Sequence, residues 1–511
     1  MGGGRGTGGG PCGVCQAASR LTCGGCGDIH YCGRDHQRRH WAHHRLHCRP
    51  YKELTHPKLG RYLVASRRLK AGQEVMEDLP LAFGPLPVSP LVCLGCHGPV
   101  PEKLPRCPGC WWPLCSPECA ASSLHRQECP VLAKDTEHVA VPDTHEETSR
   151  YDLILVVRML LLRDARPKAW AALMDMEHHM DRRAHEGKLE LQTSVNLIRD
   201  VLGLDFTAEE VEQVRGAIAT NGMQMMSPAA VPLRVLHPRV RLFNHSCIPN
   251  LQLSFTDDGL MIVRTAVPLE AGDPMYVTYT GTTIPLWERL SCLKENYFFA
   301  CECRRCSDPT EMGTDFSNPR CPECRDHLMQ PTTWLGATTW ACPSCKVEKC
   351  MQRVKEEVHA SLSSLDMMDV VDSRSYKRLQ YLLEQVEQDY HPQHYVWMKV
   401  AQTMLHKLQD YNTDTALKMR VNIWNKLSVL YGKLEPGLTR RRGMSFLELG
   451  LSIMKAVRNE YQNNTAYIPS LLQQLKPVVG YFQEAEDILS FEPATVRLHV
   501  LAERARVGKE K

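Results

Sequence analysis

Most of the 23 cysteines in this 511-residue chain fall in close pairs at metal-ligand spacing. Cys12-x2-Cys15, Cys23-x2-Cys26, Cys32-x3-His36 and His44-x3-Cys48 place eight soft ligands between residues 12 and 48. One such pair is too short to surround a metal, so two pairs must share each tetrahedral zinc. The same order returns in Cys93-x2-Cys96, Cys107-x2-Cys110, Cys115-x3-Cys119 and His125-x3-Cys129, which makes an internal repeat at 93–129. Cys321-x2-Cys324 and Cys342-x2-Cys345 fit a four-thiolate zinc ribbon at 321–345. Cys301-x-Cys303-x2-Cys306 offers three thiols, and Cys247 can supply the fourth. Twenty-one cysteines and three histidines then make 24 ligands, enough for about six zinc ions per chain. Cys292 and Cys350 stay outside every cluster and are expected to be buried, inert thiols.

Cys247 belongs to the string Asn244-His245-Ser246-Cys247-Ile248-Pro249-Asn250. An Asp257-Asp258-Gly259 turn follows, then Tyr276-Val277-Thr278-Tyr279, then Tyr297-Phe298-Phe299 directly before the cysteine triplet. A metal shared by Cys247 and the triplet would draw these stretches together. It would close a pocket around Asn244, His245, Tyr279 and Tyr297.

The paired strings resemble the SET domain of protein lysine methyltransferases, in the SET-and-MYND form and nearest its SmydA-like branch. The resemblance runs over roughly residues 10–310 and, more loosely, the helical tail. It implies an α+β fold: a split SET-domain β-fold with two MYND-type fingers, a post-SET zinc motif, a zinc ribbon and a C-terminal α-helical domain. In that family the finger pairs interleave, the first with the third and the second with the fourth. S-adenosylmethionine would be the methyl donor and Tyr279 the catalytic tyrosine. Gly60, Arg61, Asn244, His245, Tyr297 and Phe299 would be the cofactor-binding residues. Tyr62 and Pro274 depart from the family pattern, Tyr62 from a second glycine and Pro274 from a glutamate.

The elements that must position these groups can be read from pattern. A Gly-rich tail, expected to be disordered, covers 1–11, and the N-terminal finger covers 12–48. The N-terminal SET half spans 57–92, with strands entering at Arg61 and Val75 around a Lys70-Ala-Gly turn. The second finger at 93–129 interrupts it; Trp111 and Trp112 are expected to be packing residues there. Residues 150–220 read as a helical insertion: Leu153, Val156, Val157, Leu160 and Leu161 recur at helical spacing. Within it, Thr207-x2-Glu210 is a capping box. The C-terminal SET half spans 221–299, where Leu251, Leu253 and Phe255 alternate into the Asp257-Asp258-Gly259 hairpin turn. Pro274 cannot donate to a ladder, so the strand near it should start later or lie at an edge. The post-SET motif follows at 300–308, the ribbon at 321–345 and a helical, tetratricopeptide-like domain at 353–511. There Trp397, Val400, Ala401, Met404, Leu405 and Leu408 form one apolar face, and Ser445-x2-Glu448 reads as a second capping box.

The net charge of +3 argues against nucleic acid as the main partner. No apolar run of membrane length occurs, and Met1-Gly-Gly-Gly-Arg has no apolar core, so neither a span nor a secretory signal is expected. Paired cysteines without an export signal fit metal binding in a reducing compartment, with a cytoplasmic and nuclear location. The expected activity is lysine methylation of histone or non-histone protein. The expected partners are that substrate and proline-rich peptides at the fingers. The alternative is a catalytically weak adaptor that recruits partners through its fingers, for example in transcriptional repression.

Overall fold

Described here in a computed structural model, the chain runs from residue 10 to 492 apart from 25, 27–28, 46–47, 88, 101–104, 139–140, 142–149, 184–187, 333–338, 367–372 and 464–466. Most of the Gly-rich tail lies outside these residues. Gly10 and Pro11 do not belong to it: they pair with Ser19 and Ala18 and so form part of the first finger. That finger contains helix α1 (Arg34–His44), whose inner side is closed by buried His44.

The finger leads straight into a hairpin of β1 (Tyr51–His56) and β2 (Gly60–Ala65). The sequence reading began this half of the domain at 57 and missed β1. Only Tyr51 of the strand is buried, so no apolar alternation marks it. Strands β3 (Glu74–Asp78) and β4 (Ala82–Pro85) follow, then the second finger with helix α2 (Ser123–Leu132). The two adjacent tryptophans there part company. Trp112 is fully buried against Tyr151, whereas Trp111 is 45% exposed.

The helical insertion holds α3 (Tyr151–Leu160), α4 (Pro167–Met174) and α5 (Ala208–Asn221). α3 is buried along almost its whole length, because the second finger, β4 and α5 all pack against it. α5 starts at a complete capping box, with the Thr207 hydroxyl accepting from Glu210 N–H and the Glu210 carboxylate accepting from Thr207 N–H.

The second half of the β-fold has β5 (Met223–Met226), β6 (Pro232–Leu236), β7 (Asn244–His245), β8 (Leu251–Phe255), β9 (Met261–Thr265) and β10 (Tyr276–Val277). β6 is central between β4 and β5, β9 is central between β8 and β3, and β7 pairs with β10 in parallel. β8 and β9 form the hairpin read from the sequence, with Leu251 opposite Thr265 and Phe255 opposite Met261. β10 begins two residues after Pro274, which itself pairs with Val64 of β2 without needing an N–H, because Ala65 N–H donates to Asp273 O and Met275 N–H to Leu63 O.

Helix α6 (Leu286–Tyr297) then leads into the post-SET and ribbon segments. Beyond them lie α7 (Tyr395–Leu408), α8 (Asp414–Leu434), α9 (Arg440–Gln462) and α10 (Val478–Leu489). The apolar face expected on α7 is buried, from Trp397 through Leu408. This domain docks on the SET body at Gly437, whose φ is +84° and where a Cβ would collide with the Ala266 carbonyl. The Leu438 N–H donates to that same carbonyl at 2.8 Å.

Two further expectations need correction. Ser445 caps nothing: α9 starts at Arg440, and the Ser445 hydroxyl bonds back to Arg442 O inside the helix. Cys350 is exposed at the end of a short ribbon strand and Cys292 is half-buried on α6, so neither is a buried core thiol.

Candidate active site and zinc centres

The cysteine pairs converge as four-ligand sets. Cys12, Cys15, Cys32 and His36 meet in one and Cys23, Cys26, His44 and Cys48 in another. The second finger repeats this with Cys93, Cys96, Cys115 and Cys119, and with Cys107, Cys110, His125 and Cys129. Cys247 joins Cys301, Cys303 and Cys306, although 54 residues separate it from the nearest of them. In each set the ligand atoms lie within 4.8 Å of one another, a spacing that suits one tetrahedral zinc. In the ribbon, Cys321 Sγ lies 3.5 Å from Cys345 Sγ and Cys324 Sγ 3.7 Å from Cys342 Sγ.

Around Cys247 the backbone is pinned on several sides. Ser246 N–H donates to Val277 O at 2.9 Å. The Asn250 amide accepts from Tyr276 N–H at 2.7 Å and donates to Pro274 O at 2.8 Å. Asn250 therefore satisfies the strand where Pro274 interrupts it, a role its place in the string did not reveal. These bonds set Tyr279 over the loop. Its hydroxyl donates to Phe243 O at 2.8 Å, and its N–H donates to His245 Nδ1 at 3.0 Å. The Tyr297 ring lies 4.9 Å from that of Tyr279, and Phe299 meets it edge-on at 6.5 Å. Phe298 ends α6 in the left-handed conformation at φ +58°, which turns Phe299 back toward the cleft.

A cleft of about 1980 Å³ opens here, lined by Gly60, Arg61, Asn244, His245, Tyr279, Tyr297 and Phe299 among others. All seven residues expected at the catalytic and cofactor site thus face one space. Gly60 sits at the β1–β2 turn with φ +66°, and nothing lies within 4 Å of where its Cβ would be. Tyr62 stands in the ladder opposite Leu54, two residues past that turn. The Asn244 amide donates to Leu59 O at 3.4 Å, tying the string to the same turn.

Burial raises the Tyr279 phenol above the ordinary tyrosine value, with Tyr297 adding to the effect, so it stays protonated at neutral pH. Burial pushes the His245 ring down to about 4, which keeps it neutral.

Several lining residues belong to no motif. Asp175, just past α4, accepts from Arg241 at 2.7 Å and lies 2.9 Å from Arg61. Two cations share one carboxylate, so this wall keeps a net positive charge. Arg182 donates to Phe298 O at 3.0 Å and Arg183 to Asn296 O at 2.7 Å, which fastens the insertion to the end of α6. Across the opening, Lys58 and Glu302 pair at 2.8 Å. These contacts join segments far apart in sequence, and no spacing rule could have found them.

A second cavity, of about 1820 Å³, lies between β8 and helices α7–α9. Gln224 and Thr278, the latter next to Tyr279 in the chain, line both spaces, so the two cavities are adjacent.

This is the architecture of a SET-domain protein with zinc fingers, and the comparisons agree. Residues 60–280 match the SET domain family and residues 12–48 the MYND finger family. The chain thus joins a MYND finger to a SET domain. It is 26% identical over 334 residues to "SET domain-containing protein SmydA-8, isoform B" of Drosophila melanogaster, across 62% of this chain and 72% of the relative. It is also 26% identical over 270 residues to "N-lysine methyltransferase SMYD2" of Gallus gallus, across 50% of this chain and 59% of the relative. With "Histone-lysine N-methyltransferase ASHR1" of Arabidopsis thaliana it shares 25% identity, across 60% of this chain and 66% of the relative.

The cleft suits S-adenosylmethionine on its own chemistry. The open Gly60 turn lets a ligand approach backbone, the Arg61–Asp175–Arg241 cluster offers net positive charge to a carboxylate, and aromatic faces suit a sulfonium.

Proposed function

We propose that the chain is an S-adenosylmethionine-dependent protein-lysine N-methyltransferase. The observation that carries this reading is the pair of cavities that share Gln224 and Thr278, the neighbour of Tyr279: one suits the cofactor, and the other runs under the helical domain. The relatives named as lysine methyltransferases support it, and none of the names above favours the adaptor.

Bound S-adenosylmethionine supplies an electrophilic methyl group. The protein must bring a neutral amine in line with it and exclude water, and alignment supplies much of the rate. Tyr297 and Phe299 wall the channel, and burial there beside the sulfonium charge would lower the lysine pKa. The Tyr279 hydroxyl spends its proton on Phe243 O, which leaves its lone pairs to accept from the amine N–H. That contact aims the nitrogen lone pair toward the methyl group. Arg61 and Arg241 would hold the cofactor carboxylate, and Asn244 and His245 lie beside it along β7.

The first finger is the module we assign to partner binding, with proline-rich peptides as its ligand class. Leu21 and Trp41 are 60% and 41% exposed there, and exposed aromatic surface suits a preformed polyproline helix.

Calorimetric titration with S-adenosylmethionine tests the enzyme reading. Saturable one-site binding, weakened by Asn244→Ala, is expected. No heat with zinc-loaded wild-type protein would leave the chain as an adaptor.

A further inference from the structure

His245 has both ring nitrogens engaged, and the two contacts assign its tautomer. A backbone amide can only donate, so Nδ1, 3.0 Å from Tyr279 N, is the nitrogen without a proton. The ring proton then sits on Nε2, 3.3 Å from Cys247 Sγ. Cys247 is one of the four thiols that converge with Cys301, Cys303 and Cys306. Bound to zinc it is a thiolate, and a thiolate accepts a hydrogen bond far better than a thiol. The residue is only 9% exposed, so water competes little for either contact. The far end of Tyr279 is held by Phe243 O, two residues upstream on the same segment.

We propose that His245 is a positioning residue that couples occupancy of the Cys247 zinc site to the placement of Tyr279. With metal bound, the Cys247 thiolate fixes the tautomer and the ring plane, and the ring then holds the Tyr279 amide. Without metal, Nε2–H loses its strong acceptor and the ring no longer presents Nδ1 at a fixed angle. This is the histidine orientation seen around metal sites in reverse: here the ligand orients the second residue, not the other way round. The consequence for catalysis rests on the methyltransferase reading, but the coupling itself does not.

Two substitutions separate the halves of the contact. His245→Asn places an oxygen near the Nδ1 position, so it can still accept from Tyr279 but no longer reaches Cys247. His245→Gln reaches toward Cys247 and leaves the Tyr279 amide without an acceptor. Amide hydrogen exchange at Tyr279 is read in wild type, both variants and Cys306→Ser, which empties the zinc site without touching His245 or Cys247. Zinc release to a chelator, unfolding temperature and methyl transfer are measured on the same samples.

The expected result is divergence. His245→Gln and Cys306→Ser speed Tyr279 exchange about tenfold, the loss of one ordinary hydrogen bond, and His245→Asn leaves it near wild type. His245→Asn releases zinc about tenfold faster and His245→Gln does not. Equal Tyr279 exchange in all four proteins overturns the proposal. So does a parallel loss of exchange protection, zinc and unfolding temperature in both His245 variants, because that pattern marks a residue that only supports the fold. A wild type that shows this coupling but transfers no methyl group refutes the enzyme reading and leaves the coupling standing.

Discussion

Arg158 joins the second finger to the helical insertion, and its replacement by methionine should be among the costliest single changes in the chain. Its guanidinium holds the Glu128 carboxylate through two bonds, at 2.6 and 2.9 Å, and both side chains are almost wholly buried. It also donates to Phe83 O at 2.7 Å and Leu94 O at 3.1 Å, beside the ligand Cys93. Glu128 in turn lies 3.5 Å from Nδ1 of the zinc ligand His125. Arg158→Met removes one partner of a buried pair and leaves a carboxylate uncompensated, which costs about 3–5 kcal/mol. At about 2–4 °C per kcal/mol for a domain of this size, the unfolding transition should fall by roughly 10 °C. Adding Glu128→Met removes the stranded charge, so the double variant should be more stable than the single one by about 2 kcal/mol. Burial alone would raise the Glu128 carboxyl, but Arg158 holds it below the ordinary glutamate range. That stability is therefore complete above about pH 4.3 and is lost as pH falls through the depressed value, so wild type and variant should converge in acid. Differential scanning calorimetry across pH reads all of this. A loss under about 2 °C for Arg158→Met, or additive losses in the double variant, would refute the reasoning.

Other tests are briefer. Cys247→Ser should lower the zinc content of purified protein by one ion in about six, because the remaining thiols cannot complete a tetrahedral site; elemental analysis reads it, and unchanged zinc would dissolve the shared centre. Asp175→Asn should weaken S-adenosylmethionine binding about fivefold by releasing Arg241 and Arg61, as expected of a partly exposed ion pair. The hydrogen bonds from Arg241 and then Arg61 hold the Asp175 carboxyl low. Wild-type affinity should thus persist through the ordinary aspartate range and fall only as pH drops through the depressed value, in calorimetry at stepped pH. Deleting residues 1–49 should spare cofactor binding, whereas deleting 1–56 should abolish it, because β1 is the ladder partner of the Gly60–Ala65 strand. Equal binding by both truncations would show that the hairpin does not shape the cleft.

What could be read in the chain beforehand was whatever depends on irreplaceable side-chain chemistry at short range. Zinc ligands come in local pairs, so their clusters were visible, and even the distant Cys247 was betrayed by a triplet one thiol short. The β8–β9 hairpin and the α5 capping box were legible for the same reason: each is decided within one short stretch of chain. What escaped was tertiary. Asp175 meets Arg241 across 66 residues and Arg61 across 114, with nothing in the spacing to announce it. β1 was missed because a solvent-facing hairpin needs no apolar alternation. Ser445 and Glu448 imitate a cap, but Gly443 is buried inside the helix and does not break it, and α9 runs through them. Cys350 was assigned to the interior by its residue type, yet its strand lies at the surface of the ribbon.

Methyl transfer from S-adenosylmethionine to lysine peptides, measured for wild type beside Tyr279→Phe, tests the central claim most directly. The phenylalanine ring still walls the channel, and only the hydroxyl bonded to Phe243 O is lost. Such a change acts on the transition state, so turnover should fall about a hundredfold while cofactor affinity stays within about threefold. Equal transfer by both proteins would remove Tyr279 from the reaction. An absence of transfer by zinc-loaded wild type across a broad lysine peptide array would contradict the account.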